Sequence, residues 1–225
     1  MPERNSFSKT RVIIAEGEED AAFSRAMLAS HADTLPEFDV SPAIDIGGVG
    51  GNTGFKPAVM RADALAGFSQ VRDVVIIGDN DDDPNRAFGA IARQIREAKE
   101  SGDLSSDWAI PTAPFMKALG NPSVSVWLWP ANGQAGCLET LLWAQVQSQT
   151  KYNDVVICVN QAIQCAGINE WPLSKLDKSR IRCFVGLYLK KNPAVALARL
   201  WTQHPSLIPI RSRQFTPFLD FLRNI

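Results

Sequence analysis

The sequence VVIIGDNDDDP, from Val74 to Pro84, joins a run of apolar residues to a run of acids. Four successive β-branched residues are typical of a strand that is buried on both faces, as in a parallel sheet covered by helices. Past Gly78 the chain carries four carboxylates within five residues. These groups repel one another, and a hard divalent cation, which takes carboxylate oxygens, would relieve the repulsion. The stretch therefore predicts a metal site at the end of a buried strand.

Turn and capping roles offer a second explanation for these acids, because Asp and Asn suit tight turns. Asp83, directly before Pro84, fits a helix N-cap with proline at the first helical position. Asp79 and Asp81 would point the same way if the backbone stayed extended past Gly78, since strand side chains repeat every second residue. Turn and capping roles therefore leave Asp79 and Asp81 unexplained.

Length and composition bound the class of protein. The chain has 225 residues, enough for one α/β core with an appended subdomain. Its hydrophobic content of 45% and charged content of 21% are ordinary for a soluble globular protein. No apolar run reaches the ~18 residues of a membrane span, and the first residues hold no apolar signal-peptide core. We therefore predict a cytoplasmic protein that does not enter a membrane.

The cysteines and histidines limit the kind of metal. The four cysteines form no CxxC pair and lie in apolar, helix-like stretches, so we expect reduced core residues at positions 137, 158, 165 and 183. With only His31 and His204 in the chain, a His/Cys zinc site is disfavoured. Carboxylate ligands instead favour Mg²⁺ or Mn²⁺ as the cofactor.

The net charge of −1 conceals an asymmetry along the chain. From Trp171 to Ile225 there are ten Lys or Arg residues against Asp177 and Asp220, a net charge of +8. The first 170 residues therefore carry −9. This distribution suits a metal-bearing core beside a surface that binds phosphates, although a solvated helix face or a surface that docks a partner protein would explain it equally well.

Two further acids follow predicted strands. The apolar run from Arg11 to Ala15 predicts a strand that ends at Glu16, ahead of a helix with an acidic first turn. The alternating stretch from Ser123 to Trp129 predicts another strand, and Glu139 lies in the first turn of the following helix, residues 137–149. In open α/β sheets ligands sit at the carboxyl ends of strands. The helix dipole would also explain Glu139, so both interpretations stay open.

A glycine-rich segment follows a predicted strand from Phe38 to Ile46, in which Pro42 indicates an edge strand or a bulge. Five glycines between residues 47 and 54, and then Lys56, precede a helix predicted from about Pro57 to Gly67. The segment does not match the P-loop pattern GxxxxGK[ST]. It would cradle a phosphate or, as the simpler interpretation, form a flexible loop that covers the site.

The rest of the chain is predicted to be mostly helical. A helix from Asn85 to about Ser101 carries an apolar stripe, and residues 101–119 predict a loop with a short helix. Clear strand signals stop after Lys151, where we predict helices over residues 152–167, 179–191, 194–203 and 215–224. We thus expect an α/β core at residues 1–150, with a mainly parallel sheet between helices, and a basic helical subdomain at 151–225 packed on it.

Carboxylates at separate strand ends would suit phosphoryl transfer or phosphodiester hydrolysis. A doubly wound sheet would bring Glu16, Asp79 with Asp81, and Glu139 together. A bound metal would lower the pKa of a water and neutralise the charge that develops on phosphate, and Lys56 or Lys178 would add a positive charge. The candidate substrate-binding residues are Lys56, Arg180 and Arg182.

Two motifs resemble those of TOPRIM domains, the metal-binding domains of topoisomerases, bacterial-type primases, recombination-repair proteins and some nucleases. They are IIAEG at residues 13–17, with acidic Asp20 nearby, and IGDND at residues 77–81. The resemblance covers roughly residues 10–145. The fuller pattern, with DNDDDP, GCLETLL and DKSRIR, is similar to a small stand-alone bacterial TOPRIM family that is largely uncharacterised.

The resemblance implies that Glu16, Asp79 and Asp81 bind magnesium and that Glu16 also acts as a general base. The resemblance also implies auxiliary roles for three residues. Asp83 and Glu139 would be further metal ligands, and Lys178 would be catalytic. We find no strand-passage domain, no evident nucleophilic tyrosine and no zinc-binding cysteines of the primase type. Among TOPRIM proteins, this leaves the nuclease branch of the overcoming-lysogenization-defect type.

The leading hypothesis is a magnesium-dependent nuclease of DNA or RNA that serves phage defence or a mobile element. A second hypothesis is a non-catalytic TOPRIM-like subunit that docks on an ATPase partner protein. A third is a small-molecule phosphotransferase, which would release phosphate from nucleotides without nucleic acid. The choice between DNA and RNA, the number of metals and the formation of a homo-oligomer are left open.

Overall fold

The computed structural model describes residues 6–48, 51, 53–131, 133–190 and 192–225. Its sheet has five strands in the order β2-β1-β3-β5-β4, of which four are parallel and β4 pairs antiparallel with β5. The strands are β1 (Arg11–Ala15), β2 (Asp39–Pro42), β3 (Asp73–Asp79), β4 (Lys117–Ala118) and β5 (Ser123–Trp129). The expected α/β class and the edge position of the strand with Pro42 are confirmed.

Eight α-helices lie within the described residues. They are α1 (Glu18–Ser30), α2 (Phe55–Ala64), α3 (Pro84–Glu100), α4 (Leu138–Gln147), α5 (Asn153–Cys165), α6 (Leu173–Tyr188), α7 (Leu200–Gln203) and α8 (Thr216–Arg223). The predicted cap of α3 is confirmed, because Asp83 Oδ1 accepts hydrogen bonds from the backbone N–H of Asn85 at 3.0 Å and of Arg86 at 3.2 Å.

The central strands bury both faces, since every residue of β3 and β5 is buried. Side chains alternate between two hydrophobic clusters, as the strand period of two requires. Ile13, Val75 and Trp127 lie in the cluster that contains residues of α1 and α4 to α8. Val12, Val74 and Val126 lie in the other cluster, with residues of α2 and α3. The sheet is therefore sandwiched between helices.

The C-terminal helices share a core with the sheet. The Phe23 ring of α1 contacts the rings of Trp129 in β5 and Phe218 in α8, with centroid distances of 5.5 and 6.4 Å. The Tyr152 hydroxyl donates a hydrogen bond to the Leu207 carbonyl at 2.6 Å, inside the buried C-terminal region. The division of the chain into two domains at residue 150 stays a prediction.

Two local predictions before residue 120 are wrong. The second strand ends at Pro42, and residues Ala43–Ile46 form a 3₁₀-helix that closes on Gly47 in a left-handed conformation. The segment 101–119 contains no helix and ends in β4. Its conformation depends on buried Asp63, whose carboxylate accepts hydrogen bonds from the Ser105 N–H at 2.6 Å and from Trp108 Nε1 at 2.9 Å. These distant contacts override local helix propensity.

Further corrections concern the C-terminal half. Helix α6 begins at Leu173 and not at residue 179 as predicted, so Lys178 lies inside it. Cys158 and Cys165 are exposed, contrary to the expected core cysteines, because α5 buries Val159 and Ile163 instead. The glycine-rich loop falls partly on residues 49, 50 and 52, outside the described residues. Within the described part of the chain, no helix is long and apolar enough to cross a bilayer.

Candidate metal centre

The parallel pairing of β1 with β3 places Glu16 beside the end of β3. Ala15 lies opposite Ile77, and the Glu16 N–H donates a hydrogen bond to the Ile77 carbonyl at 2.8 Å. The Glu16 side chain reaches across, and its Oε2 accepts a hydrogen bond from the Asp79 N–H at 3.1 Å. The two candidates that sequence analysis derived from separate strand ends are therefore neighbours.

Gly78 makes room for this approach. A Cβ built at this position would lie 3.2 Å from Glu16 Oε2 and 3.2 Å from Ile91 Cδ1, tighter than ordinary packing. A side chain here would push the Glu16 carboxylate away from β3. Gly78, the glycine of the IGDND motif, thus allows the acids that follow the first and third strands to come into contact.

Asp79 is the last residue of β3 and is 6% exposed. Its Oδ1 accepts a hydrogen bond from the backbone N–H of Leu138, the first residue of α4, at 3.2 Å. Its Oδ2 forms an ion pair with Lys178 Nζ in α6 at 2.8 Å. Asp79 therefore links the sheet to two helices, at the carboxyl edge where α/β proteins bind ligands.

The start of α4 brings two more groups to Asp79. Cys137 caps the helix together with Thr140, whose Oγ1 accepts a hydrogen bond from the Cys137 N–H at 3.1 Å. Glu139 lies in the first turn and is 5% exposed. One ligand atom each from Asp79, Cys137 and Glu139 lies within 4.8 Å of the other two. The predicted convergence of Glu139 on Asp79 is what the structure shows.

Burial and mutual repulsion raise the pKa values of the clustered acids. Desolvation and the charge of Asp79 raise the pKa of Glu16 to about 7. Burial, with repulsion from Asp79, Glu16 and Glu139, raises the pKa of Asp20 well above its ordinary value. Burial also raises the pKa of Glu139, with a further contribution from Asp79. Each acid is costly to ionise while the others are charged.

Lys178 is the cation that balances this cluster. Burial alone would lower its pKa, but attraction to Asp79 and Glu139 outweighs burial and raises the pKa. Burial raises the pKa of Asp79, and the ion pair with Lys178 only partly offsets that rise. Among the residues that the structure describes, one lysine therefore faces Glu16, Asp20, Asp79 and Glu139, which leaves an excess of negative charge in a largely buried site.

The donor set fits a hard divalent cation such as Mg²⁺ or Mn²⁺. Carboxylate oxygens are the ligands these ions prefer, and a double positive charge would relieve the repulsion among the acids. The Cys137 thiol does not suit such an ion, because thiolates favour softer metals than Mg²⁺ or Mn²⁺. Burial and the charge of Glu139 also raise its pKa. Its Sγ instead donates to the Ser174 carbonyl at 3.5 Å. Asp79 and Glu139 are the acids best placed to hold a metal.

Asp81 does not continue the strand. The backbone is not extended past Gly78 as far as expected, because β3 ends at Asp79 and Asp81 has φ of 48°, in the left-handed region. The Asp81 carbonyl accepts a hydrogen bond from the Gly136 N–H at 2.6 Å, which ties the acidic loop to the segment before α4. Its negative charge contributes to the raised pKa values of Glu16 and Asp79. A role as metal ligand stays a prediction.

The other predicted site residues lie farther out. Asp83 is exposed and caps α3. Lys56 lies 3.8 Å from Glu97. Arg180 pairs with buried Asp177 at 2.8 Å and lies over the Trp143 ring, whereas Arg182 is exposed on α6. Their predicted roles in binding a metal or substrate are not tested by these contacts.

Asp20 and Asn80 are the residues that sequence analysis left out of the candidate site. Asp20 lies in the first turn of α1, where the helix dipole seemed a sufficient reason for an acid, yet it is 8% exposed and faces the cluster. Asn80 is 1% exposed, and its Nδ2 donates to the carbonyls of Pro130 and Gln134, both at 2.7 Å. In the sequence, the position of Asn80 between the predicted metal ligands Asp79 and Asp81 was the signal that could have placed it in the site. Asn80 holds the β5–α4 loop against the acidic loop.

Fold and site together define an α/β protein with a buried carboxylate centre at the carboxyl edge of a mainly parallel sheet. A family model described as "Protein of unknown function (DUF3226)" matches residues 10–225, and the chain belongs to that family. Comparisons with curated proteins and with solved structures gave no match.

Proposed function

We propose that the chain is a magnesium-dependent nuclease with a TOPRIM core, which hydrolyses phosphodiester bonds of DNA or RNA. The observation that carries the proposal is the largely buried cluster of Glu16, Asp20, Asp79 and Glu139 near Lys178. The TOPRIM resemblance is supported by the positions of Glu16 and Asp79 at the ends of adjacent parallel strands. The net charge of +8 after residue 170 is a further supporting feature, because the substrate is a polyanion.

Each group has a chemical role in this proposal. Mg²⁺ or Mn²⁺, when bound, would polarise the phosphate and lower the pKa of the attacking water. Asp79 and Glu139 would hold the ion, with Asp20 behind them adding negative charge. Glu16 would accept the proton of that water; its pKa is about 7 in the metal-free protein, and a bound cation would lower it. Lys178 Nζ would stabilise the charge that develops on the phosphate oxygens.

Hydrolysis of labelled DNA and RNA by the purified chain tests the proposal. In Mg²⁺ the wild-type chain cleaves at least one of these substrates, and chelation stops the reaction. Glu16→Gln and Asp79→Asn each lower the rate by a factor on the order of 10³, because one removes the base and the other a metal ligand. Glu100→Gln, an exposed acid at the end of α3, is the matched control and leaves the rate unchanged.

Three results would contradict the proposal in different ways. Full metal-dependent cleavage by both site variants would exclude the carboxylate centre as the active site. Failure of the wild-type chain to cleave any substrate, together with a stable ATPase partner in a pull-down, would favour the non-catalytic subunit. Release of phosphate from nucleotides without nucleic acid would favour a phosphotransferase.

A further inference from the structure

A groove with a volume of about 1170 Å³ opens beside the acidic loop. Helix α3 forms its length, and the starts of α2 and α6 contribute the walls. We call it the α3 groove and define it by its cations, Lys56, Arg86, Arg93 and Lys175, and by Asn80 and Asp81 at its acidic end. It is distinct from the buried cluster but begins at the residues that directly follow Asp79.

The cations of the α3 groove are arranged along its length. Arg86 and Arg93 are exposed and seven residues apart on α3, so they lie on one face, about 10 Å apart along the axis. Ala87, Gly89 and Ala90 line the groove between them, and their small side chains leave space for a chain to approach. This arrangement offers repeated positive charges to an extended polyanion.

Ion pairing leaves much of this positive charge available. Glu97 is shared by two cations, Lys56 at 3.8 Å and Arg93 at 3.7 Å. Arg86 and Lys175 form no ion pair with any residue that the structure describes. Four acids line the groove as well as four cations. Asp81, Asp82 and Asp83 lie at the end that adjoins the metal centre, where a divalent cation would compensate them, and Glu97 lies among the cations.

The acidic end of the groove also carries an unused acceptor. Asn80 is 1% exposed, and its Oδ1 has no hydrogen-bond partner among the described residues. A buried amide oxygen without a partner costs free energy, which a ligand with N–H or O–H groups would recover. On the opposite wall, Lys175 lies one turn of α6 before Lys178, which pairs with Asp79. The groove therefore leads to the proposed reaction centre.

We infer that the α3 groove binds a single strand of nucleic acid and delivers it to the carboxylate centre. The inference rests on the proposed function and specifies its substrate as single-stranded. The volume lies just above the 300–1,000 Å³ of small-molecule pockets, which is room for a few nucleotides of one strand. Cations that follow one backbone are one part of how proteins bind single strands without reading sequence.

Fluorescence anisotropy with a labelled oligothymidylate of about five nucleotides tests the inference, with Ca²⁺ in place of Mg²⁺ so that the strand stays intact. Arg86→Glu combined with Arg93→Glu weakens binding by about 10-fold or more and makes it less dependent on salt, since fewer phosphate contacts release counterions. Arg86→Gln with Arg93→Gln gives a smaller loss in the same direction. Arg96→Glu, an exposed arginine of α3 outside the groove, changes affinity by less than about 3-fold.

Competition separates the single strand from other ligands. An unlabelled hairpin duplex and thymidine monophosphate each compete at least about 10-fold less well than the unlabelled oligothymidylate. Equal competition by either molecule, or unchanged affinity in the double arginine variants, would overturn the inference. If the groove binds the strand as described but the wild-type chain cleaves nothing in Mg²⁺, the proposed nuclease activity fails and the binding site stands. If cleavage occurs without dependence on Arg86 and Arg93, the groove fails and the activity stands.

Discussion

Asp63 and Asp20 are both 8% exposed, yet their carboxyl pKa values move in opposite directions. Burial would raise the pKa of Asp63, but hydrogen bonds from Ser105 and Trp108 outweigh it and lower the pKa. Burial and the charges of Asp79, Glu16 and Glu139 instead raise the pKa of Asp20. One acid is matched by donors, and the other is surrounded by acids.

The difference separates a structural carboxylate from a candidate functional one. Asp63 holds the loop before β4 by accepting three hydrogen bonds, two from Ser105 and one from Trp108. Its charge is satisfied inside the protein, so it needs no ligand. Among the described residues, the acids around Asp79 share one lysine. Their raised pKa values favour protonation, and a bound cation would let them stay ionised. Burial of an acid alone therefore does not indicate a candidate functional site. Burial without enough hydrogen-bond donors or cations to balance the charge, which we call unmatched burial, does.

The largest expected effect on stability comes from Asp63. Asp63→Ala leaves the Ser105 N–H and the fully buried Trp108 indole N–H without acceptors, so it lowers the free energy of unfolding by about 4 kcal/mol. Chemical denaturation monitored by tryptophan fluorescence measures the change. Asp103→Ala, an exposed acid in the same loop, is the control and stays within about 0.5 kcal/mol. Equal stability of the two variants would show that Asp63 is not structural.

Local sequence predicted the two central strands well, because they are buried on both faces and so consist mostly of apolar residues. The β-branched run before Gly78 and the alternating run that ends at Trp129 both form central strands. The loop 101–119 was not predictable in the same way. Its path depends on Asp63, more than 40 residues earlier in the chain, which no local pattern reveals.

The site was predictable only where it follows strand ends. Glu16 and Asp79 were found because parallel strands bring their carboxyl ends to one edge. Asp20 was missed, since the first turn of a helix gives any acid a structural reason and only the rotation of α1 turns Asp20 inward. Lys178 entered as a candidate, but its pairing with Asp79 across 99 residues depends on how α6 packs.

The pH dependence of stability is the second expected effect. Because the pKa of Glu16 rises from 4.5 to about 7 on folding, the folded protein binds this proton more tightly than the unfolded chain. The resulting stability is full below pH 4.5 and is lost as the pH rises through about 7. The loss is on the order of 3 kcal/mol, since one pKa unit corresponds to about 1.4 kcal/mol. Denaturation curves between pH 5 and 8 without divalent ions measure it.

Two further measurements assign this loss to the cluster. In Glu16→Gln the decline of stability with pH is shallower, because the titrating carboxyl is gone. In the wild-type chain, Mg²⁺ raises the melting temperature more at pH 8 than at pH 5.5, since an ion that binds ionised carboxylates stabilises the folded state. A wild-type stability that rises across this range would contradict the raised pKa of Glu16.

The smallest expected effect is that of Asp20→Asn on the free energy of unfolding, and it has the opposite sign to that of Asp63→Ala. At pH 8 without divalent ions, Asp20→Asn raises the free energy of unfolding by about 1 kcal/mol, because it removes a buried charge repelled by Asp79, Glu16 and Glu139. The gain shrinks as the pH falls, since the raised pKa of Asp20 favours its protonated form in the folded protein. The exposed Asp33, just past the end of α1, provides the control Asp33→Asn.

Because a metal would need the negative charge that Asp20 contributes, the same Asp20→Asn variant also loses part of the stabilisation by Mg²⁺. If Asp20→Asn instead destabilised the chain as Asp63→Ala does, both acids would be structural, and the distinction between matched and unmatched burial would not hold for this protein.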